Sequence, residues 1–207
     1  MKRFKRIIVI VTDSVGAGGA PDAERFGDEG ADTLKHIDEA VPGGLKIPNL
    51  RRLGWEKATH IHPEGVKIVG SYGRMREISN GKDTTSGHWE FMGNPVENPF
   101  PVFYDAFPQE LLDTFTKKTG HGWIGNEVAS GTEIIARLGP EHLKTKKPIV
   151  YTSADSVFQI AAHTDVIPLE ELYRICEVTR KEVCVGPYEV GRVIARPFVG
   201  EPGNFVR

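Results

Sequence analysis

Continuous apolar runs along the chain predict several β-strands. Residues 7–11 are all β-branched and have no polar break, which is typical of a strand buried in a parallel sheet. A strand or hairpin arm is predicted at residues 66–75, and shorter strands are predicted at residues 148–152 and 190–195. Because helical segments lie between these runs, the pattern favours an α/β fold.

Helices are predicted where apolar residues recur every three or four positions and where capping residues flank the pattern. Asp32 or Thr33 precedes one such segment, Ser86 precedes another, and Gly139 is placed to end a third. The predicted helices cover residues 33–40, 48–53, 86–92, 108–118, 132–138 and 168–183.

A cluster of proline and asparagine at residues 94–101 interrupts this pattern and marks a candidate domain boundary. The chain is thereby divided into two α/β segments, residues 1–97 and residues 98–207. Residues 198–207 are loop-like and no closing element follows them. The first segment also has few strands for a doubly wound sheet, so we expect a partial chain.

Composition and charge exclude several classes of protein. The chain is 39% hydrophobic and 26% charged, with a net charge of -2, which gives no electrostatic reason to expect nucleic acid or a membrane surface as a partner. No apolar run is long enough to span a bilayer. Cys176 and Cys184 form no CxxC motif and are expected to be structural thiols. These features together predict a cytoplasmic location.

Asp13 is the first candidate for chemistry. It follows the predicted strand at residues 7–11, and open α/β sheets bind ligands at the carboxyl ends of their strands. A carboxylate there can bind a cation, or it can cap a turn. The glycines that follow match neither the dinucleotide-binding nor the P-loop fingerprint.

Residues 81–90 (GKDTTSGHWE) combine an acid, three hydroxyls and a histidine. Thr84 or Thr85 could act as a nucleophile if Lys82, Asp83 or a metal activated its hydroxyl. The alternative is a capping loop, since threonine and serine bind nearby backbone amides. Both readings stay open on the residues alone.

A phosphate-binding surface is predicted near the end of the chain. Arg192, Ile194 and Arg196 share one face of a predicted strand, and guanidinium groups suit phosphate. The turn at residues 153–156 could bind sugar hydroxyls, and the alternative for each arginine is a surface ion pair. His60 with His62, and His163 with Asp165, have spacings that could suit a metal, but they are expected to be structural or surface groups.

Several long motifs, in order from about residue 4 to the last residue, resemble the bacterial phosphopentomutase family. They are VTDSVG at 11–16, PDA at 21–23, GKDT at 81–84, GHWEFMG at 87–93, YTSADS at 151–156 and VGRVIARPF at 190–198.

The resemblance implies a metal-bearing α/β core of the alkaline phosphatase superfamily, here residues 1–97, and an inserted α/β cap, here residues 98–207. It implies interconversion of ribose 1-phosphate and ribose 5-phosphate, and of the deoxyribose pair, with a sugar bisphosphate as activator. Thr84 matches the phosphorylated nucleophile, which also contacts metal, and Thr85 matches a variable position. Asp13 matches a ligand of one of two manganese ions. The positions that match the sugar-phosphate site are Ser153, Asp155, Arg192, Ile194 and Arg207.

Family members are about twice as long as this chain, and their other metal ligands lie in the half that would follow Arg207. We therefore expect the C-terminal half of the same enzyme as a partner and expect the isolated chain to be inactive. The alternatives are an enzyme similar to cofactor-independent phosphoglycerate mutase, a phosphohydrolase, or a sugar-phosphate-binding module without catalysis.

Overall fold

The computed structural model describes residues 5–12 and 14–207, which divide into two compact units. The division falls between Arg76 and Glu77. The predicted boundary at residues 97 and 98 concerns the core and cap of a complete family member, and it stays a prediction.

The first unit contains short helices joined by loops. A 3-10 turn, Ala23–Phe26, precedes α1 (Thr33–Ala40), α2 (Pro48–Leu53) and α3 (Trp55–Ala58). The predicted cap of α1 is confirmed, since the Asp32 carboxylate accepts a hydrogen bond from the Lys35 amide at 3.2 Å. Gly54, with a φ of 104°, ends α2 as predicted, in a left-handed conformation that glycine adopts without steric cost.

Arg51 is the buried centre of this unit, with 0% of its surface exposed. Its guanidinium donates to the carbonyl oxygens of His62 at 2.7 Å and Leu45 at 3.3 Å. The carboxylates of Glu56 and Asp38 lie 3.4 and 3.7 Å away. A buried guanidinium is tolerated because several acceptors surround it.

His60 and His62 each contact an aspartate within this unit. Nδ1 of His60 lies 2.5 Å from Asp32, and Nδ1 of His62 lies 2.6 Å from Asp38. Amide donors from His62 and Leu45 lower the pKa of Asp38 well below its usual range.

Two predicted strands are wrong. Residues 7–11 form no strand, and their side chains are between 54% and 84% exposed. Residues 66–75 also form no strand. A strand is stable only when a neighbour pairs with its backbone groups, and no described segment pairs with either run.

The second unit is built on a five-stranded mixed sheet in the order β1-β2-β3-β4-β5. β1 pairs parallel with β2, β2 antiparallel with β3, β3 parallel with β4, and β4 antiparallel with β5. The strands are β1 (Ile124–Val128), β2 (Ile149–Thr152), β3 (Val157–His163), β4 (Arg192–Glu201) and β5 (Asn204–Val206). The predicted α/β class is confirmed.

Helices cover both faces of this sheet. α5 (Gln109–Thr119) and α7 (Leu169–Val178) pack with Val150 and Phe158 on one face. α6 (Gly131–Thr145) packs with Tyr151 on the other face. All seven residues of β3 are buried because both of its faces are covered. The second unit also contains α4 (Thr84–Phe91), a π turn (Thr179–Val183) and a 3-10 turn (Gly186–Tyr188).

Three predicted helix and strand ends differ from the structure. α4 begins at Thr84 rather than after Ser86, because Asp83 is its capping residue. Gly139 does not end α6. It lies inside the helix, where a Cβ would come within 2.3 Å of the Phe205 ring. Residues 198–207 are not a loop, since β4 runs to Glu201 and turns back into β5.

The two cysteines are unpaired, as predicted. Burial raises the pKa of the Cys176 thiol and of the Cys184 thiol to about 12, so both stay protonated and unreactive at neutral pH. None of the helices in the described part of the chain is both long enough and apolar enough to cross a membrane.

Candidate active site

The candidate site lies at one edge of the sheet in the second unit. Because β1 and β2 are parallel, their carboxyl ends meet at this edge. β3 runs antiparallel to β2 and parallel to β4, so the amino ends of β3 and β4 also lie there. The short turn between β2 and β3 carries Ser153 and Asp155, and Arg192 is the first residue of β4.

Thr84 is presented by the amino end of α4. Asp83 orders this end, because its carboxylate accepts hydrogen bonds from the amides of Thr85 at 2.9 Å and Ser86 at 3.1 Å, and from the Ser86 hydroxyl at 2.6 Å. Asp83 and Ser86 therefore have the helix-capping role that is the alternative interpretation of this motif. It leaves the Thr84 side chain exposed, with its hydroxyl available.

The Thr84 hydroxyl donates to Asp155, with Oγ1 3.2 and 3.3 Å from the two carboxylate oxygens. Asp155 is in turn bound by the guanidinium of Arg192 at 2.9 Å. Asp155 and Arg192 are each about one-third exposed, at 37% and 36% of their side chains. A hydroxyl, a carboxylate and a guanidinium thus form one hydrogen-bonded chain.

Thr85 occupies a different environment from its neighbour. It is half-buried, and its Oγ1 lies 3.1 Å from the point where a Cβ on Gly191 would be. The close packing of Thr85 against Gly191 leaves Thr84 as the accessible hydroxyl of the pair.

Ser156 fixes the turn that carries Asp155. Its hydroxyl donates to the Pro101 carbonyl at 2.6 Å and accepts from the Gly191 amide at 3.0 Å. The Thr152 hydroxyl donates to the Val157 carbonyl at 2.9 Å across the same turn. The positions of Asp155 and Arg192 are therefore set by backbone anchors on both sides.

The remaining predicted site residues are Ser153, Ile194, Arg207 and Asp13. Ser153 is half-buried in the same turn, and Ile194 is half-buried on β4, on the face that carries Arg192. Arg207 is exposed after β5, and its guanidinium is near enough to influence the pKa of Tyr151. Asp13 lies outside the described residues, so its predicted role as a metal ligand stays a prediction.

The described residues contain no group of three or more histidine, cysteine, aspartate or glutamate side chains that could hold a metal ion. Thr84 and Asp155 alone supply too few oxygen ligands for a divalent cation. The part of the chain that the structure describes therefore does not by itself fit a two-metal centre.

Sequence reasoning missed two polar groups on the α6 face of the sheet. The sequence predicts Tyr151 in a strand and gives it no site role, and Gln159 belongs to β3, which the sequence analysis does not predict. Arg196, which was noted for its spacing from Arg192, donates to Gln159 Oε1 at 2.7 Å. The strand period of two from Arg192 does place Arg196 on this face, but no local signal places Tyr151 or Gln159 beside it.

His88 and Glu90, the polar residues that close the 81–90 motif, make local contacts. Nδ1 of His88 lies 2.7 Å from the Thr84 carbonyl. The Glu90 carboxylate accepts from the amides of Ile78 at 2.9 Å and Ser79 at 2.7 Å. These contacts hold α4 and the segment before it in place.

No protein-family model matches the chain. A curated phosphopentomutase from Caldanaerobacter subterraneus subsp. tengcongensis is 55% identical to it over 206 residues. That match covers 99% of this chain and 52% of the relative, so the chain spans about half the length of the curated relative it matches. The resemblance that the motifs predicted is thus confirmed: over nearly its whole length, the chain is similar to part of a phosphopentomutase.

Proposed function

We propose that the complete protein is a phosphopentomutase that interconverts ribose 1-phosphate and ribose 5-phosphate, and the corresponding deoxyribose phosphates. The observation that carries the proposal is the hydrogen-bonded chain Thr84–Asp155–Arg192. It joins an accessible hydroxyl to a cation suited to phosphate, in a chain 55% identical to a curated phosphopentomutase.

In the proposed reaction, the phosphoryl group on Thr84 passes to the free hydroxyl of a pentose monophosphate. This breaks the bond between phosphorus and Thr84 Oγ1 and forms a bond to the sugar oxygen, and the proton of the sugar hydroxyl ends on Thr84 Oγ1, so the products are a sugar bisphosphate and a free Thr84 hydroxyl. After the bisphosphate reorients, its other phosphoryl group returns to Thr84 Oγ1 and the isomeric monophosphate leaves. Phosphate is conserved over the cycle, and a sugar bisphosphate can phosphorylate a free Thr84.

Asp155 would repel a phosphate group, whereas Arg192 would bind it. The Asp155 carboxylate accepts from the Thr84 hydroxyl, and it would repel a phosphoryl group at the same oxygen. Arg192 would bind phosphate oxygens, and Ile194 and Ser153 would contact the sugar. Arg192 Nε is buried and has no hydrogen-bond partner among the described residues, which leaves it a donor for a ligand.

Two manganese ions, as the resemblance implies, would supply charge neutralisation when bound. Asp13 is the proposed ligand in this chain, together with Thr84, and the described residues cannot complete the coordination. The isolated chain is therefore expected to be inactive.

The test is conversion of ribose 1-phosphate to ribose 5-phosphate by the full-length gene product, compared with its Thr84→Ala variant. Conversion that depends on Thr84, without release of inorganic phosphate, supports the mutase. Steady phosphate release indicates a phosphohydrolase, and turnover of 3-phosphoglycerate indicates the phosphoglycerate mutase alternative. Calorimetric binding of ribose 5-phosphate without turnover would indicate a binding module.

A further inference from the structure

The peptide unit between Val190 and Gly191, directly ahead of Arg192, is bound at both of its polar groups. The Gly191 N–H donates to the Ser156 hydroxyl at 3.0 Å. The Val190 carbonyl accepts from the Arg180 guanidinium at 2.8 Å. Because a trans peptide unit is planar and its N–H and C=O point in opposite directions, two such bonds fix the orientation of the whole plane. They therefore also set the direction in which the chain continues to Arg192.

The Val190 carbonyl depends on donors from the protein. Val190 is 0% exposed, so its oxygen cannot bond to bulk water instead. A guanidinium is a charged donor, and charge-assisted hydrogen bonds are about twice as strong as neutral ones. A second nitrogen of Arg180 lies 3.3 Å from the carboxylate of Glu189. Arg180 thus binds two consecutive residues ahead of β4.

Arg180 itself is held by a buried turn. It lies in the π turn Thr179–Val183, whose first and last residues are buried. The Cys184 amide closes this turn by donating to the Thr179 carbonyl at 2.8 Å, and the Thr179 hydroxyl donates to the Ile175 carbonyl at 2.7 Å. A π turn is wider than an α-helical turn and is frequently found at functional sites. Here it presents Arg180 to the chain that leads into β4.

The position of Gly191 has little tolerance for movement. A Cβ there would lie 3.1 Å from Thr85 Oγ1 and 3.2 Å from the Ser156 carbonyl oxygen, so the backbone passes in contact with both residues. Closely packed atoms cannot accept a shift of a few tenths of an ångström without moving their neighbours. Rotation of the peptide unit would therefore displace either the amino end of α4, beside Thr84, or the first residue of β4.

We propose that Arg180 is a positioning residue for Arg192. It holds the peptide unit ahead of β4, and through this unit it places the guanidinium that binds Asp155. The motif resemblance gives Arg180 no role, and its bonds run to Val190 and Glu189 rather than to a residue of the candidate site. The proposal rests on the proposed function, in which Arg192 binds a sugar phosphate. Loss of Arg180 should weaken this binding without removing a group that touches the ligand.

The test compares Arg180→Ala with Arg174→Ala in the full-length protein. Arg174 is the matched control because it also donates to a backbone carbonyl, that of Thr119, at 2.8 Å, and also pairs with a glutamate. The two arginine side chains are similarly exposed, at 41% and 45%. Both variants should have a lower melting temperature, since each leaves a carbonyl without its charged donor. Only Arg180→Ala should lower kcat/KM, and weaken ribose 5-phosphate binding, by about tenfold.

Further variants separate positioning from general stability. Arg180→Lys keeps a charged donor for the Val190 carbonyl and should recover part of the lost kcat/KM, whereas Arg180→Met has no donor and should not. In an Arg192→Ala background, Arg180→Ala should lower kcat/KM less than about threefold, because the group that it positions is already absent. Hydrogen exchange of peptides covering residues 184–192 should become faster in Arg180→Ala and stay unchanged in Arg174→Ala.

Several results would overturn the positioning role. Equal losses of kcat/KM in Arg180→Ala and Arg174→Ala would do so, since lower stability alone would then explain both. An Arg180→Met variant as active as Arg180→Lys would show that the donated bond does not matter. Losses from Arg180→Ala and Arg192→Ala that multiply in the double variant would show that Arg180 does not act through Arg192.

The positioning role and the proposed function can fail separately. Ribose 5-phosphate binding that weakens in Arg180→Ala but not in Arg174→Ala, in a protein without mutase activity, supports the positioning role and rejects the mutase. Mutase activity that is unchanged in Arg180→Ala supports the mutase and rejects the positioning role. A full-length protein that neither binds nor converts ribose 5-phosphate rejects both.

Discussion

The Thr84 hydroxyl donates to the Asp155 carboxylate, at 3.2 and 3.3 Å, across 71 positions of sequence. One partner begins a helix and the other lies in a turn between two strands. Because Arg192 binds the same carboxylate, a change of charge at Thr84 acts on Arg192 through Asp155. A phosphoryl group on Thr84 would add about 1.5 to 2 negative charges beside Asp155. It would therefore favour transfer of Arg192 from the carboxylate to the phosphate.

Thr84→Val should remove phosphorylation and reduce turnover at least about a thousandfold in the full-length protein, because valine keeps the shape of threonine without its nucleophilic oxygen. Thr85→Val is the matched control and should stay active, since Thr85 packs against Gly191. Phosphopeptide mapping locates the modified residue. Phosphate on Thr85 with Thr84 unmodified would show that the assignment is wrong.

Arg192→Ala should reduce kcat/KM about ten- to a hundredfold, since a charge-assisted bond to phosphate contributes about 1.5–3 kcal/mol. Arg137→Ala removes an exposed arginine paired with Glu127 and should change kcat/KM less than about threefold. Steady-state kinetics on ribose 5-phosphate compares the two. Equal losses in both variants would contradict the role of Arg192.

Asp13→Asn should lower the manganese content of the full-length protein and reduce turnover, because it replaces a charged oxygen ligand with a neutral one. Metal analysis after dialysis, together with the mutase assay, checks both effects. Glu24→Gln changes an exposed carboxylate and is the control. A metal content equal to that of the control would remove Asp13 from the proposed metal site.

Stability should fall as the pH is lowered through the titration of His142. This buried imidazole donates from Nδ1 to the Lys147 carbonyl at 2.7 Å and accepts at Nε2 from the His163 amide at 2.9 Å, so it is held neutral. Burial lowers the pKa of His142 from its ordinary 6.5. Above pH 6.5 the folded and unfolded states are both neutral at this residue. Below it the unfolded state takes up the proton first.

The loss of stability from His142 should begin near pH 6.5, cost up to about 1.4 kcal/mol per pH unit, and end once the folded state is also protonated. That corresponds to a decrease of up to about 3–6 °C in melting temperature per pH unit. Calorimetry from pH 7.5 to 5 checks it against His142→Gln. That variant should be less stable at pH 7.5 and should show a smaller decrease. Parallel curves for the two proteins would assign the decrease to other groups.

Arg51→Met should destabilise the first unit by about 3–5 kcal/mol, because it leaves the buried Asp38 and Glu56 carboxylates without their cation. Arg52→Met changes the exposed neighbour on the same helix and should have little effect. Hydrogen exchange of peptides covering residues 33–64 measures the difference. Similar protection in the two variants would contradict the central role of Arg51.

Local signals predicted the helices well where the capping residue was correctly identified. Asp32 begins α1 and Gly54 ends α2 as expected, since these effects depend only on adjacent residues. The sequence predicts a helix end at Gly139 because glycine is disfavoured inside helices. A glycine is needed at this position because the Phe205 ring packs against it. Phe205 is 66 residues away in sequence, so this contact can be seen only in the fold.

The strands were harder to predict because pairing is not local. Residues 7–11 are continuously apolar and form no strand, whereas β3, which includes Gln159 and His163, has paired neighbours on both sides in the described chain. The candidate site follows the same rule. The motifs identified Thr84, Asp155 and Arg192 separately, whereas their hydrogen-bonded chain depends on the order and direction of β2, β3 and β4.

The two hydrogen bonds of the Ser156 hydroxyl have a consequence for the entropy of ligand binding. They tie Pro101, the turn that bears Asp155 and the start of β4 to one point. Fixing a flexible backbone costs about 1–2 kcal/mol per residue, and here folding has already met that cost before a ligand arrives. A sugar phosphate that binds at Asp155 and Arg192 therefore has little loop freedom to remove, and more of its contact energy remains as affinity.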